Sequence, residues 1–505
     1  MRRRVELRLF THTMPEPPAT THYLWLTLPL ITIAVFHAAT LRQGHIWADD
    51  FAMYIHHAKN IVEGRPYAQT GYLFTPTAPV GPRMYPPVFP LLLAPVVRLF
   101  GLNLIPLKFE QVIFFVLALM VVCLYWQRDL GREYTLALAA ILGFSPHFWA
   151  AKDNVLSDLP FLLFFYVAAA LVQRAPRDGP AQWRWAILIG SGLYLAIGTR
   201  TAGIALLAGL VLYDLLKYHT ITRITVVALS TCGALLFLQS HFIGSEFGSY
   251  NGTYHATLGM VGAHLISYPR TLAGFWVAST QTEFSFLLLG VVSLLTLAGL
   301  FYQYKRGLTI VEAFLVPYAT IVILWPFSPG IRLVFPFIPW IVFLALTGLR
   351  GLTEKFAPRY VSVAVCAFVL LISVPFVTAY RHTDFGLIRQ STGLPEFNQL
   401  CQAVRERTTP QDVLIYFRAR ALALYTSRTA SAYNIQGTDD ELWQYARNVH
   451  ATYLITTNAF DEDRGFLARY AETHSSSLEL AYQNANFRLY RVVADAAPLA
   501  SAKSH

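Results

Sequence analysis

Five charged side chains stand where charge is costly. Asp49 and Asp50 form an adjacent acidic pair in WADDFAMYIHHAKNIVEGRPY, directly after a long apolar run. Asp158, in AKDNVLSDLPFLLF with Asp153, opens another apolar run, and Arg200 (GTRTAG) and Arg332 (SPGIRLVFPFIP) join or precede further ones. Ionisable groups at the ends of membrane-length segments are expensive to keep and are functional candidates by default. Adjacent carboxylates repel, and a cation, a metal or a hydrogen-bonded hydroxyl relieves them. Arg83, in PRMYPPVFPLLLAP, precedes a proline-stiffened apolar helix. Its guanidinium suits a lipid-linked phosphate, since it offers bidentate contacts. Each has a plainer reading: helix capping for the aspartates, snorkelling or topological anchoring for the arginines. Taken together, acids and arginines on one face form the layout in which a carboxylate works beside a bound phosphate.

The elements that position these residues follow from composition. Of 505 residues, 55% are hydrophobic and only 13% charged, about half the charge of a soluble domain. Apolar runs of roughly 17–25 residues read as membrane spans. Eleven are expected, at about 22–40, 105–126, 134–150, 157–173, 185–199, 202–216, 222–242, 284–303, 308–325, 333–349 and 359–379. The stretch 85–101 carries four prolines and an arginine and reads as a juxtamembrane or re-entrant helix. That assignment places Arg128, Arg132, Arg174, Arg177, Arg184, Lys217, Arg223, Lys305, Arg306, Arg350, Lys355 and Arg359 in inner loops, with single basic residues outside. The positive-inside rule then puts the N-terminus in the cytoplasm and the C-terminus outside. An apolar run from about His22, longer than a signal peptide's, reads as a retained anchor.

The net charge of +10 lies wholly in residues 1–379, with 26 basic and 16 acidic residues; residues 380–505 hold 13 of each. The basic excess is therefore a topology signal, and no nucleic-acid partner is expected. Outer segments fall at 41–104 and 243–283, the latter with an interfacial amphipathic stretch near 256–278. Residues 380–505 form a third. There, strand-like runs (412–417, 451–457, 478–483, 487–493) alternate with helical ones (394–407, 419–426, 438–449, 462–473), which predicts a small α/β domain with a frayed tail after Val493. Cys123, Cys232, Cys366 and Cys401 read as small packing residues. His45, His56, His57, His241, His255 and His264 lack metal-ligand spacing, and Asn251-Gly252-Thr253 is a sequon pattern common by chance.

On WADDFAMYIHHAKNIVEGRPY, RMYPPVFPLLLAP, FSPHFWAAKDNVLSDLPFLLFF, GTRTAGIALL and GIRLVFPFIPW, in family order over about residues 22–349, the chain resembles the GT-C superfamily of membrane glycosyltransferases. The branch is that of protein O-mannosyltransferases and aminoarabinose-type lipid A transferases. The resemblance implies an α-helical polytopic membrane fold of about 11–13 helices (domain 1–379) with a small extracytoplasmic α/β domain (380–505), in a bacterial inner membrane. It implies inverting transfer of a hexosyl or pentosyl group from a polyprenyl-phosphate sugar to an acceptor hydroxyl on a lipid, protein or polysaccharide. Asp49 matches the presumed general base, Asp50 stands where relatives have Asp or Glu, and Asp158 matches the acid of the second outer loop. Arg83, Arg200 and Arg332 would hold the carrier phosphate. Tyr85 occupies a place where some relatives have a lysine. Metal use differs within the superfamily, so Mg or Mn at Asp49 and Asp158 stays open. The rival classes are a transporter or lipid-carrier flippase, and a non-catalytic scaffold. A transporter calls for mid-bilayer ionisable sites in repeated halves, whereas here the charges gather at one face.

Overall fold

The computed structural model describes residues 24–493, apart from 48, 74–79, 177, 244–256, 279–282, 326–329, 389–390 and 435–436. The arginine-rich N-terminus, the 251–253 sequon, His255 and the tail after Val493 lie outside the described residues.

The chain begins with α1 (Leu24–Ala39), then α2 (Asp50–Val62) and α3 (Val88–Phe100). The bundle continues through α4 (Leu104–Leu130), α5 (Arg132–Gly143), α6 (Pro146–Ala151), α7 (Asp158–Arg174), α8 (Gln182–Thr199), α9 (Ala205–Tyr218) and α10 (Arg223–Ile243). It closes with α11 (Leu258–Val277), α12 (Glu283–Arg306), α13 (Ile310–Leu324), α14 (Phe337–Phe356) and α15 (Val361–Arg381). Each of the eleven expected spans meets a helix. Among the described residues, six helical stretches are long and apolar enough to cross a membrane by length and composition, and α1, α3 and α13 are shorter apolar helices. Leu28, Leu99, Phe242, Phe286 and Leu370 are each more than two-thirds exposed, as a bilayer-facing surface requires.

Local signals set the ends. The Asn103 side chain accepts from Ile105 N at 3.1 Å and starts α4. Thr309 and Glu312 form a capping box on α13. The expected span 134–150 is two helices, because Ser145 caps α6 and Pro146 takes its first position, which cannot continue the α5 ladder. Helices α12 and α14 cross at Gly299 and Gly348. A Cβ on Gly299 would fall 1.8 Å from Leu344 O, and one on Gly348 2.0 Å from Leu295 O. Only glycine admits that approach, the small-residue contact by which membrane helices pack.

The charges of alternate loops separate to opposite ends. Arg350 donates to Asp129 O and Arg306 lies 3.8 Å from the Asp129 carboxylate. At the other end stand Asp50, Asp158, Arg200 and Arg332.

On that end sits a mixed sheet with the helices α16 (Pro395–Arg407), α17 (Ala419–Thr426) and α18 (Asp439–Asn448). Its strands are β1 (Tyr72–Leu73), β2 (Val413–Ile415), β3 (Thr429–Ser431), β4 (Tyr453–Thr457), β5 (Leu478–Gln483) and β6 (Phe487–Val492), in the order β1-β3-β2-β4-β6-β5. β1, β3, β2 and β4 run parallel, and β6 is antiparallel to both β4 and β5. The edge strand β1 comes from outer segment one, pairing Tyr72 with Ala430 and Leu73 with Ser431. Two bridges, Gln43 with Leu387 and Ile46 with Ser391, add to that seam. The sheet is therefore not confined to residues after 380.

Candidate functional site

Neither aspartate at the start of α2 caps it with its side chain: Asp49 is the N-cap residue and makes no cap hydrogen bond. Asp158 lies one residue past the N-cap of α7, Ser157. Their carboxylates are turned to other work.

An alternating ladder of charge runs across the site. Arg200 donates to Asp158 Oδ1, and Arg332 Nε donates to Asp158 Oδ2 at 3.0 Å. The two terminal nitrogens of Arg332 reach Asp50 Oδ2 at 3.4 Å each. Arg420 closes the ladder 3.3 Å from Asp50 Oδ1. Tyr85 links them: its hydroxyl donates to Asp50 Oδ1 at 2.8 Å and accepts from Arg420 at 2.7 Å. Arg420 also donates to Val80 O at 3.1 Å and stacks 5.0 Å over the Tyr72 ring. The ladder counts three guanidinium groups against two carboxylates, so it carries one net positive charge.

Breaks in regular structure deliver these side chains. Arg200 has extended backbone between α8 and a single 3₁₀ turn, Thr201–Ile204. Arg332 sits in the 3₁₀ stretch Gly330–Val334 before α14. Tyr85 follows the turn Pro82–Met84, and its ring packs edge-on to Tyr54 at 5.1 Å. Tyr54 in turn reaches the Ser157 hydroxyl at 2.9 Å. A cleft of about 830 Å³ opens among Asp50, Tyr54, Tyr85, Ser157, Arg200 and Arg332. Asp158 and Arg332 also line a neighbouring cleft of about 450 Å³ with His147 and Asn154, so their ion pair stands in the wall between the two.

The adjacent acids differ in chemistry. Burial alone would raise the Asp50 carboxyl, but Arg332, Arg420 and the Tyr85 hydroxyl outweigh it and hold it below its ordinary value. For Asp49 burial prevails over Arg420 and Arg418 and pushes the carboxyl up to about 6. Asp49 accepts from the Ala421 backbone N–H, and its Oδ1 is buried without a hydrogen-bond partner. Asp50 is thus a fixed counter-ion, while Asp49 is a carboxylate poised to exchange a proton near neutrality.

Of the residues expected from the sequence, Asp50, Tyr85, Asp158, Arg200 and Arg332 form one bonded network, and Asp49 adjoins it on the α17 side. Arg83 is exposed on the Pro82–Met84 turn and does not line the cleft; Tyr85 takes the inward position. Arg420 is the member the sequence did not single out. Its signal, FRARALALY, is two arginines entering an apolar helix, ordinary in a soluble-looking domain.

A second buried network fixes the frame. Asp153 accepts from Arg42 Nε at 2.7 Å and Lys152 at 2.9 Å, with Lys108 at 3.7 Å. Lys108 and Lys152 also donate to the carbonyls of Arg42 and Thr40. Asp153 therefore ties the end of α1 to the loop before α7. Two of the outer histidines, His45 and His57, are structural as well. His45 lies between Ile46 O (2.7 Å) and Val155 N (2.9 Å), and His57 stacks on Tyr67. Among the described residues no three His, Cys, Asp or Glu side chains are grouped to hold a metal. The carboxylate oxygens of Asp50 and Asp158 are already occupied by arginines and Tyr85, a donor set unsuited to a divalent ion, which takes about six oxygens.

A family model described as dolichyl-phosphate-mannose-protein mannosyltransferase matches residues 84–243, a stretch holding Tyr85, Asp158 and Arg200. No curated protein matches the chain. Among solved structures it is similar to ArnT from Cupriavidus metallidurans bound to undecaprenyl phosphate. The TM-score is 0.59 at 15% identity, over 93% of this chain and 98% of that one. The apo form of the same protein gives 0.60 over 92% and 97%, also at 15% identity. AglB from Archaeoglobus fulgidus, in complex with an inhibitory peptide and a dolichol-phosphate, gives 0.56 at 13% identity over 86% and 69%. The chain has the GT-C glycosyltransferase fold.

Proposed function

We propose that this protein is a membrane glycosyltransferase that moves a glycosyl group from a polyprenyl-phosphate-linked donor to an acceptor hydroxyl, with inversion, on the extracytoplasmic face. The observation that carries the reading is the net-positive ladder Arg200–Asp158–Arg332–Asp50–Arg420 bordering a cleft at one end of an apolar bundle. Such a ladder has room for one anion, and arginine edges match phosphate oxygens. The matched family description and the lipid phosphates in the similar structures support the same choice of donor.

In the proposed step, Asp49 takes the proton of the acceptor hydroxyl as that oxygen attacks the anomeric carbon. The bond from that carbon to the phosphate oxygen breaks, and its electron pair leaves on the phosphate. The leaving group gains negative charge, which Arg200 and Arg332 are placed to stabilise. Asp50 and Asp158 hold those guanidinium groups in orientation. Asp49 lies on the α17 side of the α2 start, while Arg200 and Arg332 border the cleft, so in this reading the acceptor and the carrier phosphate approach from different sides.

The test is incubation of the purified chain with polyprenyl-phosphate mannose, glucose and aminoarabinose, each with saccharide, lipid and serine/threonine-rich peptide acceptors. Release of polyprenyl phosphate that depends on Asp49 is expected; no release from any donor overturns the reading. Sidedness is tested by a reporter active only outside the cytoplasm, fused after Ala379. An active reporter is expected, and an inactive one places the site on the other face.

A further inference from the structure

The helices that deliver the charged ladder at one end frame a second cleft at the other. α7 opens at Asp158 and ends at Arg174, α8 begins at Gln182 and ends before Arg200, α9 ends at Tyr218, and α10 starts at Arg223. α8 alone, with 18 residues, spans about 27 Å. The end of α7, the start of α8, the end of α9 and the start of α10 therefore meet far from the ladder. A cleft of about 1180 Å³ opens among them, larger than the one of about 830 Å³ beside the ladder.

This cleft is amphiphilic. Its apolar wall is Val172, Ile189, Leu210 and Ile224, of which Ile189 and Leu210 are buried. It also holds both signs of charge, Lys217 and Arg223 against Asp178 and Asp214. Asp214 is buried and accepts from Thr222 N at 2.7 Å, which fixes the loop between α9 and α10. Lys217 donates to the Tyr213 hydroxyl at 2.5 Å and lies 5.9 Å over the Tyr218 ring, so its ammonium is held at the cleft. Positive charge in a loop is by itself a topology signal. The cations of this end divide, however. Arg350 and Arg174 donate to the carbonyls of Asp129 and Leu124, whereas Lys217 and Arg223 line a cavity with apolar walls. Trp183, 47% exposed on the first turn of α8, marks the level of the head groups.

Apolar walls, a pair of cations and a pair of carboxylates in one recess call for an amphiphile that carries both charges. We propose that this cleft binds one phospholipid with a zwitterionic head group, from the leaflet opposite the ladder. Its phosphate lies against Lys217 and Arg223, whose N–H donors match phosphate oxygens. The head-group ammonium faces Asp178 and Asp214, and the acyl chains begin on Val172, Ile189, Leu210 and Ile224. Pockets between membrane helices take anionic head groups where basic residues are in excess. Here two cations meet two carboxylates, so a head group of net negative charge finds no excess to meet it. An ammonium with N–H donors satisfies carboxylates and a fully methylated one does not, so phosphoethanolamine is preferred to phosphocholine. Only the name of the leaflet, the cytoplasmic one, rests on the orientation proposed above; the site depends neither on it nor on the transfer chemistry.

The experiment titrates the full chain, purified in detergent and stripped of lipid, and counts retained lipid by native mass spectrometry. The probes are phosphatidylethanolamine, phosphatidylcholine, phosphatidylglycerol, soluble phosphoethanolamine and inorganic phosphate. Saturable binding of one phosphatidylethanolamine is expected, tighter than that of the other two lipids. Its Kd should rise about tenfold or more in Lys217→Gln and in Arg223→Gln, and stay within about twofold in Lys305→Gln, a cation of the same end outside the cleft. Asp178 is exposed, so Asp178→Asn folds; it leaves the recess one net positive charge and should shift the preference toward phosphatidylglycerol. An unchanged thermal unfolding transition reports that each variant is intact. Absence of saturable phosphatidylethanolamine binding overturns the assignment, as does binding that Lys217→Gln and Arg223→Gln both leave unchanged. A wild-type preference for phosphatidylglycerol or phosphatidylcholine overturns the choice of head group. Soluble phosphoethanolamine or inorganic phosphate binding as tightly as the lipid overturns the lipid and makes the cleft a site for a soluble phosphate.

Discussion

At the scale of single residues, the difference between Asp49 and Asp50 governs the expected chemistry. Asp49 is raised from 3.8 to about 6 by burial, so it is ionised and able to accept a proton above that value and protonated below it. Turnover should therefore fall as pH drops through about 6, with little dependence from 7 to 8. Asp49→Asn should lower kcat by about 10²–10⁴-fold, the usual worth of a positioned base, and remove that acid limb in a pH–rate profile, while polyprenyl phosphate still binds. Arg332 bridges Asp50 and Asp158 through three nitrogens. Arg332→Lys keeps the charge and loses the fork; donor titration should show polyprenyl phosphate Kd raised about tenfold or more. Asp50, Asp158, Arg200 and Arg332 were legible in the sequence because charge at the ends of apolar runs is costly to keep and both signs gather there on one face. Arg420 was illegible for the opposite reason: residues after 380 are ordinary in charge, and nothing local marks one arginine among 13 basic residues. Asp153 was legible as a costly charge but not in its role, since Arg42 and Lys108 reach it from distant parts of the sequence.

At the scale of elements, the apolar helices were readable from run length alone, and the strands of 412–417, 451–457, 478–483 and 487–493 all appear within a residue or two to three of their expected limits. What escaped were elements too short to carry a period. β1 has two residues and β3 three, and their partners, rather than their side chains, make them strands. The break between α5 and α6 rests on one capping serine and one proline inside an apolar run. Packing of α12 on α14 depends on two glycines whose Cβ positions are filled by the facing backbone. Gly348→Val should separate these helices; overpacking costs about 1–3 kcal/mol or more. The expected result is a lower thermal unfolding temperature for the purified protein and a smaller loss for Gly290→Val on the facing helix α12, where a Cβ meets nothing within 4 Å.

At the scale of the whole molecule, the division of charge between residues 1–379 and 380–505 was visible, but not that the two share a sheet and a site. The seam holds β1 on β3, Gln43 on Leu387, Ile46 on Ser391 and Arg420 on Asp50. A chain ending after Ala379 should insert into the membrane yet release no polyprenyl phosphate, and its segment 41–87 should be cut by protease far faster than in the full chain. β1 has a further consequence, in time rather than space. The Ser431 hydroxyl donates to Leu73 O across 358 residues of sequence. During synthesis the segment that carries Asp49 and Asp50 emerges early and waits without its partner strand until almost the entire bundle has been inserted. Pairings so distant form late and slowly. An incomplete chain therefore holds its acids apart from Arg420, and a ribosome stalled anywhere in the bundle leaves behind a protein whose charged site is unassembled.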